Sequence, residues 1–272
     1  MEQKVIFITG AASGIGRATA RLFYNEGWFV GCYDVDEIEL IALKAELGDH
    51  CCIGVLDVTD KPLFDQTMTA FTEMTKGRLD LMFNNAGIAA GGYFDEIPYE
   101  ELMKIVNVNF IGVLNGIHAA IPYLKQTENS LCFTTSSSAA TFGSPTLAVY
   151  AATKHAVKGL TEALSVELAR YGVRAADVLP GVIDTAIWKD SPSYEKGVFV
   201  SNSENLIEGA GDRKDMMRLI SAEEVAFCVW EAYCSDKLHW YVPPEILELD
   251  LAKAKSPEAV RDRMINARSE PH

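Results

Sequence analysis

The stretch Thr9-Gly10-Ala11-Ala12-Ser13-Gly14-Ile15-Gly16 separates a strand-like run at residues 4–9 (KVIFIT) from a helical pattern at residues 17–25 (RATARLFYN). A strand that enters a helix through such a turn is where an open α/β sheet binds a dinucleotide. Glycines let the backbone approach a pyrophosphate, whose charge the N-terminal amides of the helix face. Three glycines could by themselves form an ordinary turn, but the flanking strand and helix favour a phosphate loop.

Strand and helix patterns continue to alternate beyond this turn. Strands are predicted at residues 28–34, 51–56, 79–83, 131–135 and 173–179, with helices at 35–47, 60–75, 99–124 and 148–171. Strands separated by helices of this length pair in parallel, with right-handed crossovers. The sequence therefore predicts a single-domain α/β fold: a Rossmann-type, doubly wound parallel sheet with helices on both faces.

The regularity lapses after residue 181. We expect residues 184–220 to form a substrate lid, because long irregular segments in compact domains are usually functional. Its apolar side chains are Ile187, Trp188, Tyr194, Phe199, Leu206, Ile207, Met216 and Met217. A helix at 222–234 and an apolar run at 239–242 follow. Residues 1–249 are expected to form the domain and residues 250–272 a charged helical tail, with Ser256 as cap and Pro257 first in the helix.

The overall charge argues against two classes of partner. With 24 Lys and Arg against 38 Asp and Glu, the chain carries a net charge of −14, whereas nucleic acids and anionic membranes reward clustered cations. Residues 105–124 are uncharged over the length of a membrane span. They include Asn107, Asn109, Asn115 and His118, which are costly in lipid, so a buried helix of a soluble domain is expected.

Six cysteines, Cys32, Cys51, Cys52, Cys132, Cys228 and Cys234, occur without C-x-x-C spacing, and the first residues (MEQKVIFITG) hold no apolar leader. We expect reduced core thiols in a cytoplasmic protein. The His, Cys and acidic residues have no metal-ligand spacing, so no metal site is predicted.

Asp34, at the end of the second predicted strand, is the candidate ribose-binding acid. A carboxylate there accepts both hydroxyls of the adenosine ribose and repels a 2′-phosphate. Neither Ser13 nor Tyr33 supplies a cation, so NAD is preferred over NADP. Because other acids follow closely, an ordinary solvated loop acid is the alternative for Asp34. Asp57 and Val58 end the third strand and could hold the adenine edge, although Asp57 could equally be a loop acid.

Tyr150 and Lys154 place a phenol and an ammonium group one helical turn apart. A cation so placed is expected to lower the phenol pKa and make the phenol a proton acceptor. The spacing alone decides nothing, because Tyr233 and Lys237 share it. Only Tyr150 has a serine, Ser137, thirteen residues upstream after an apolar strand, so Tyr233 is interpreted as structural.

With these residues the sequence resembles the short-chain dehydrogenase/reductase family. The matching marks occur in the family's order and span residues 9–185, about two thirds of the chain. They are Thr9-Gly-x-x-x-Gly-Ile-Gly16, Asp57, Asn84-Asn85-Ala86-Gly87, Asn109, Ser137, Tyr150-x-x-x-Lys154, and Pro180-Gly181 followed by Thr185.

The resemblance implies a catalytic set. Tyr150 would exchange a proton with the substrate oxygen, and Ser137 would hydrogen-bond that oxygen. Lys154 would hold the nicotinamide ribose and tune Tyr150, while Asn109 would order a water beside Lys154. The NAD-binding residues implied are Gly10, Ser13, Gly14, Ile15, Gly16, Asp34, Asp57, Val58, Asn85, Ala86, Gly87, Tyr150, Lys154, Pro180, Gly181, Ile183 and Thr185.

Two of these assignments have neighbours that compete. Ser137 is chosen by its offset from Tyr150, and backbone hydrogen bonding is expected for the other hydroxyls, Thr134, Thr135, Ser136 and Ser138. Asn109 is preferred over Asn107 because the family's asparagine precedes a glycine by three residues, here Gly112. His118 is expected to be a helix residue without a catalytic role.

We therefore expect an NAD-dependent oxidoreductase that interconverts an alcohol and a ketone or aldehyde on a small to medium apolar substrate. An NADPH-dependent carbonyl reductase is the alternative, and a non-catalytic NAD-binding module the next. Apolar helices at 99–124 and 148–171 favour a homodimer or homotetramer. Many family members close a subunit contact with an Asp-Gly-Gly segment, where this chain reads Trp240-Tyr-Val-Pro-Pro-Glu245.

Overall fold

Seven parallel strands form the centre of the molecule, in a computed structural model that describes residues 3–185, 187, 191–202 and 218–269. The strands of the chain are β1 Val5–Thr9, β2 Phe29–Asp34, β3 Cys51–Val55, β4 Leu81–Asn84, β5 Leu131–Thr135, β6 Arg174–Pro180, β7 Val182–Ile183, β8 Pro192–Glu195, β9 Val198–Asn202, β10 Leu219–Ile220 and β11 His239–Val242. The central sheet has the order β11-β6-β5-β4-β1-β2-β3. The predicted doubly wound fold is confirmed.

Helices cover both faces of this sheet. They are α1 Gly14–Asn25, α2 Glu37–Leu47, α3 Lys61–Met74, α4 Tyr99–Val106, α5 Gly112–Leu124, α6 Ala148–Glu167, α7 Ala222–Tyr233, α8 Leu247–Lys255 and α9 Pro257–Ser269. The side chains of β1 alternate between the two faces of the sheet. Ile6 and Ile8 lie in the core under α1, α2 and α7. Val5 and Phe7 lie in the core under α3 and α5. A strand buried on both faces reads as a continuous apolar run, as VIFIT does.

Side-chain caps fix the start of several helices. Asp36 accepts a hydrogen bond from the amide of Glu39 at the start of α2, and Asp60 accepts one from Leu63 at the start of α3. Ser221 caps α7 by accepting from the amide of Glu224. Each cap satisfies one of the amides that a helix N-terminus leaves without an internal partner.

The predicted helix at 99–124 is continuous but not uniform. Its middle, Asn107–Ile111, is wound as a π-helical turn between α4 and α5. By length and composition Tyr99–Leu124 could cross a membrane, and half of its most apolar window is buried inside the protein. In this structure α5 packs on α3 and on the sheet.

The segment predicted as irregular contains short strands. The strands β8 and β9 form an antiparallel hairpin, and β10 pairs with β7 in parallel. The hairpin docks on the loop after β4, where the amide of Gly91 donates to the carbonyl of Pro192 at 2.9 Å. Much of the predicted lid, namely residues 186, 188–190 and 203–217, lies outside the described residues, so the lid stays a prediction.

The C-terminal elements are tied to α6. The ammonium group of Lys158 binds the carboxylate of Asp250, which also accepts from the Tyr241 hydroxyl at 2.6 Å. His239 lies between Asp177, at 2.6 Å, and Glu162, at 3.3 Å. Ser256 and Pro257 begin α9 as predicted. The helix α8 crosses the predicted boundary at residue 249, and the division into domain and tail stays a prediction.

All six cysteines are free thiols. Cys32, Cys51, Cys132 and Cys228 are buried in the two cores, as expected. The prediction of core thiols is wrong for Cys234, which is exposed just after α7, and Cys52 is only partly buried.

Candidate active site

A cleft of about 280 Å³ opens at the carboxyl ends of the strands. Open α/β sheets bind ligands at this edge. Its walls include every predicted cofactor-binding residue except Gly16, together with Ser137. Seven further wall residues were not predicted: Val35, Leu56, Ile88, Val108, Thr135, Ser136 and Ile187. Most of these are apolar and carry no motif, and for Val35, Leu56 and Ile88 only the position after a strand could have indicated them.

The three glycines of the turn at the cleft floor have no room for side chains. A Cβ atom on Gly16 would lie 2.0 Å from the carbonyl oxygen of Gly10, so the first turn of α1 rests directly on the loop. Gly10 and Gly14 have φ of +66° and +47°, a region that glycine adopts at little cost. Gly16 therefore packs against the backbone of the turn and does not line the cleft.

The side chain of Asn85 joins the glycine turn to the neighbouring strands. Its Nδ2 donates to the carbonyls of Thr9, at 3.1 Å, and Gly10, at 3.2 Å. Its Oδ1 accepts from the hydroxyl of Thr135 at 3.0 Å. The backbone hydrogen bond expected for the Thr135 hydroxyl is therefore wrong. The Ser136 hydroxyl does bond to backbone, at the carbonyl of Lys154.

The carboxylate of Asp34 is held in place by backbone amides at the far end of the cleft. One oxygen accepts from Ala12 at 3.0 Å, and the other from Val35 at 2.7 Å and Asp36 at 3.1 Å. These bonds distinguish Asp34 from a freely solvated loop acid. Asp57 accepts from the amide and hydroxyl of Thr59, and its residue also lines the cleft.

Tyr150, Ser137 and Lys154 meet at the other end of the cleft, and all three are at least 95% buried. Ser137 hydrogen-bonds the phenol of Tyr150. The Ser137 oxygen also accepts from the amide of Ala139 at 3.1 Å, which fixes its position. The ammonium group of Lys154 donates to the carbonyl of Thr135 at 2.8 Å.

Burial controls the protonation of this group. It raises the pKa of the Tyr150 phenol, and the hydrogen bond from Ser137 offsets part of that rise. Burial also lowers the pKa of Lys154 to about 8. Because the net effect raises the phenol pKa, Tyr150 keeps its proton at neutral pH. The Nζ of Lys154 lies 5.6 Å from the centre of the Tyr150 ring and donates to the carbonyl of Thr135, and the expected lowering of the phenol pKa by Lys154 stays a prediction.

Asn109 is fully buried in the π-helical turn, whereas Asn107 is exposed. The Asn109 amide accepts from the Ile88 amide at 2.8 Å and donates to the Ile88 carbonyl at 2.9 Å. A Cβ atom on Gly87 would lie 3.4 Å from Asn109 Oδ1 and 3.5 Å from Lys154 Nζ. Asn109 thus braces the loop that borders Lys154, without lining the cleft itself.

Tyr233 lies elsewhere, in the core under α1 and α7. Its hydroxyl donates to the buried carboxylate of Asp80 at 3.4 Å, and its ring packs edge-on against Trp28. This placement supports the structural interpretation. His118 is exposed on α5.

A second cavity of about 310 Å³ adjoins the cleft and shares four wall residues with it: Ser13, Gly87, Ile88 and Ile187. Its other walls include one acidic side chain, Glu101, and are otherwise mostly apolar: Ala89, Ala90, Ile105, Ser191 and Pro192. Ile105 and Ile187 also pack with Tyr150 in one apolar cluster, so this cavity borders the Tyr150 end of the cleft.

Comparison with known proteins matches residues 4–196 to the family model of the short chain dehydrogenases. A 3-oxoacyl-[acyl-carrier-protein] reductase of Thermotoga maritima is 34% identical over 204 residues, which cover 74% of this chain and 82% of that protein.

This chain belongs to the short-chain dehydrogenase family.

Two solved structures of the family are also similar over nearly the full length. A short-chain dehydrogenase from Burkholderia phymatum in complex with NAD superposes with a TM-score of 0.83 at 28% identity and covers 95% of both chains. A 3-ketoacyl-(acyl-carrier-protein) reductase from Brucella melitensis, complexed with NADH, gives a TM-score of 0.76 at 26% identity, covering 89% of this chain and 97% of that one.

Short-chain dehydrogenases are oxidoreductases that bind a nicotinamide cofactor and act on small molecules. The cleft of this member fits such a cofactor, because Gly10 and Gly14 contribute wall without side chains and the N-terminus of α1 opens beside them. Asp34 offers acceptors at one end and Lys154 a donor at the other.

We expect NADH binding by this short-chain dehydrogenase to be coupled to the protonation of Lys154. An anionic pyrophosphate favours the ammonium form, so binding above the Lys154 pKa of about 8 takes up a proton. NADH affinity should therefore fall as the pH rises from about 7 to 9.5, by at most about tenfold per pH unit for one proton. Calorimetric titration in buffers of different ionisation enthalpy measures both quantities.

Lys154→Met should abolish this proton uptake, whatever it does to affinity. Lys158→Met, one turn further along α6 and bound to Asp250 outside the cleft, is the matched control and should retain it. Equal uptake in both variants would show that another group carries the proton.

Proposed function

We propose that the protein is an NAD-dependent oxidoreductase that interconverts an alcohol and a ketone or aldehyde on a small to medium apolar substrate. The observation that carries this proposal is the meeting of Ser137, Tyr150 and Lys154 at one end of a cleft whose other end is closed by Asp34. A non-catalytic NAD-binding module would have no need of the first three side chains.

Tyr150 is the proposed proton donor and acceptor. Its phenol is held by Ser137, and burial keeps it protonated, so it can deliver a proton to a carbonyl oxygen at the Ile105 and Ile187 wall. When bound, the nicotinamide supplies or accepts the hydride. Ser137 would donate a hydrogen bond to the same substrate oxygen and stabilise the charge that develops on it.

Lys154 and Asn109 support this reaction from behind. Lys154 would hold the nicotinamide ribose with the ammonium group that Thr135 positions. Asn109 keeps the loop at Gly87 and Ile88 in place beside that group, and we propose that a water ordered there connects Lys154 to solvent.

The preference for NAD rests on Asp34. Its carboxylate is fixed at the cleft end by three backbone amides, so it cannot turn away from a 2′-phosphate without losing them. The NAD and NADH complexes of the two structural relatives are consistent with this choice. An NADPH-dependent carbonyl reductase would share the catalytic residues and differ only at the ribose site that Asp34 forms.

The proposed substrate class follows from the adjoining cavity. Its walls are mainly small or aliphatic side chains, which reward the burial of an apolar group next to the reacting oxygen. A cytoplasmic location, expected from the free thiols, and a soluble protein without nucleic-acid or membrane partners remain part of the same proposal.

The first test compares NADH and NADPH by fluorescence titration. NADH should bind at least about tenfold more tightly, since one charge-assisted hydrogen bond to Asp34 is worth roughly 1.5–3 kcal/mol. Asp34→Ala should reduce the difference between the NADH and NADPH affinities. Glu37→Ala, which removes an exposed acid from the first turn of α2, should leave it unchanged. Tighter NADPH binding by the unmodified protein would overturn the preference for NAD.

The second test concerns the proton. Tyr150→Phe should still bind NADH and lose about two to four orders of magnitude in turnover, the usual share of general acid and base catalysis. Turnover is measured with a panel of alcohols and carbonyl compounds. Tyr233→Phe removes a phenol hydroxyl from the core and should remain active. Similar turnover in the two variants would contradict the assignment.

The third test concerns assembly, where we propose a homodimer or homotetramer through α4, α5 and α6. Exposed apolar side chains on these helices, such as Tyr99 and Val166, support a subunit contact. Light scattering at micromolar concentration should give at least twice the mass of one chain. A monomer under these conditions would contradict the proposal.

A further inference from the structure

A permanent cation lies beside the end of the cleft that is closed by Asp34. Arg17, in the first turns of α1, has a side chain that is only 20% exposed. Its Nη1 donates to the carbonyl of Ala12 at 3.3 Å and to the carboxylate of Glu39 at 2.6 Å. The amide of the same Ala12 donates to Asp34 at 3.0 Å.

Arg17 therefore binds the backbone carbonyl of Ala12, and Asp34 binds its backbone amide. The next residue, Ser13, lines the cleft. The guanidinium group and the Asp34 carboxylate are thus connected through one backbone residue and two hydrogen bonds, of 3.3 and 3.0 Å. Any phosphate attached to a ribose that meets Asp34 would come close to this cation.

Two carboxylates engage Arg17 in the structure. Glu39 binds Nη1, and Glu46 lies 3.6 Å from Nη2 while also binding Arg21 at 2.7 Å. Among the described residues the buried Nε of Arg17 has no hydrogen-bond partner. The guanidinium group therefore keeps an unused donor, although Glu39 balances its charge and fixes its direction.

We propose that Glu39 is a positioning residue for cofactor choice, because it holds Arg17 away from the ribose site and neutralises the charge that would attract a 2′-phosphate. This inference rests on the proposed preference for NAD and adds a second cause to it. Asp34 repels the phosphate directly, and Glu39 withholds the cation of Arg17. Arginine recognises phosphate through paired N–H groups, so a released Arg17 would favour NADPH.

The decisive variant is Glu39→Gln, which keeps the size of the side chain and removes its charge. The ratio of the NADPH and NADH dissociation constants, measured by fluorescence titration, should fall by about tenfold, as one hydrogen bond to a charged group is gained. Because a ratio is measured, a general loosening of the glycine turn affects both ligands alike and cancels.

Glu37→Gln is the matched control. Glu37 is exposed on the same turn of α2 and makes no ion pair with Arg17 in the part of the chain that the structure describes. This variant should leave the ratio unchanged. An equal fall in the two variants would show that net charge alone is responsible and would overturn the role of Glu39.

A double variant, Glu39→Gln with Arg17→Gln, tests whether Arg17 is the cation involved. The gain in NADPH binding should disappear, with NADH titration reporting whether the turn remains intact. If the gain persisted without Arg17, the proposal would be wrong. Tighter NADPH binding by the unmodified protein would instead refute the NAD preference, so the two failures are distinguishable.

Discussion

The amide side chain of Asn85 is the contact on which the rest of the site depends. It fills the space between the glycine turn and β5, bonding to the carbonyls of Thr9 and Gly10 and accepting from Thr135. The carbonyl of Thr135 in turn receives the ammonium group of Lys154. A single chain of hydrogen bonds thus connects β1, the loop after β4, β5 and α6. This chain fixes the position of the glycine turn relative to Lys154.

The parts of the fold that repeat locally could be predicted from the sequence. A strand such as β1 is apolar on both faces because both faces are covered, and that pattern appears in five consecutive letters. The glycine turn could also be predicted, because Gly16 has no room for any side chain and the fold therefore requires a glycine there. The positions of Asp34 and Ser137 then follow, because the carboxyl ends of parallel strands meet at one edge.

Features that depend on contacts distant in sequence could not be predicted. The side chain that Thr135 meets belongs to a loop fifty residues away. The phenol pKa of Tyr150 depends on its burial and on where Lys154 points, neither of which the four-residue spacing determines. The same holds for the apolar run at His239–Val242, which becomes an edge strand only through its pairing with β6.

The helix α6 carries both active-site residues and residues that bind the C-terminal elements. Its first turns carry Tyr150 and Lys154, and its later turns carry Lys158 and Glu162, which hold the C-terminal elements through Asp250 and His239. The tail is thus part of the foundation on which the chemical groups rest. In the course of divergence, a change at Asp250 would remove the carboxylate that binds a nearly buried lysine, so we expect substitutions at Lys158 and Asp250 to accompany each other.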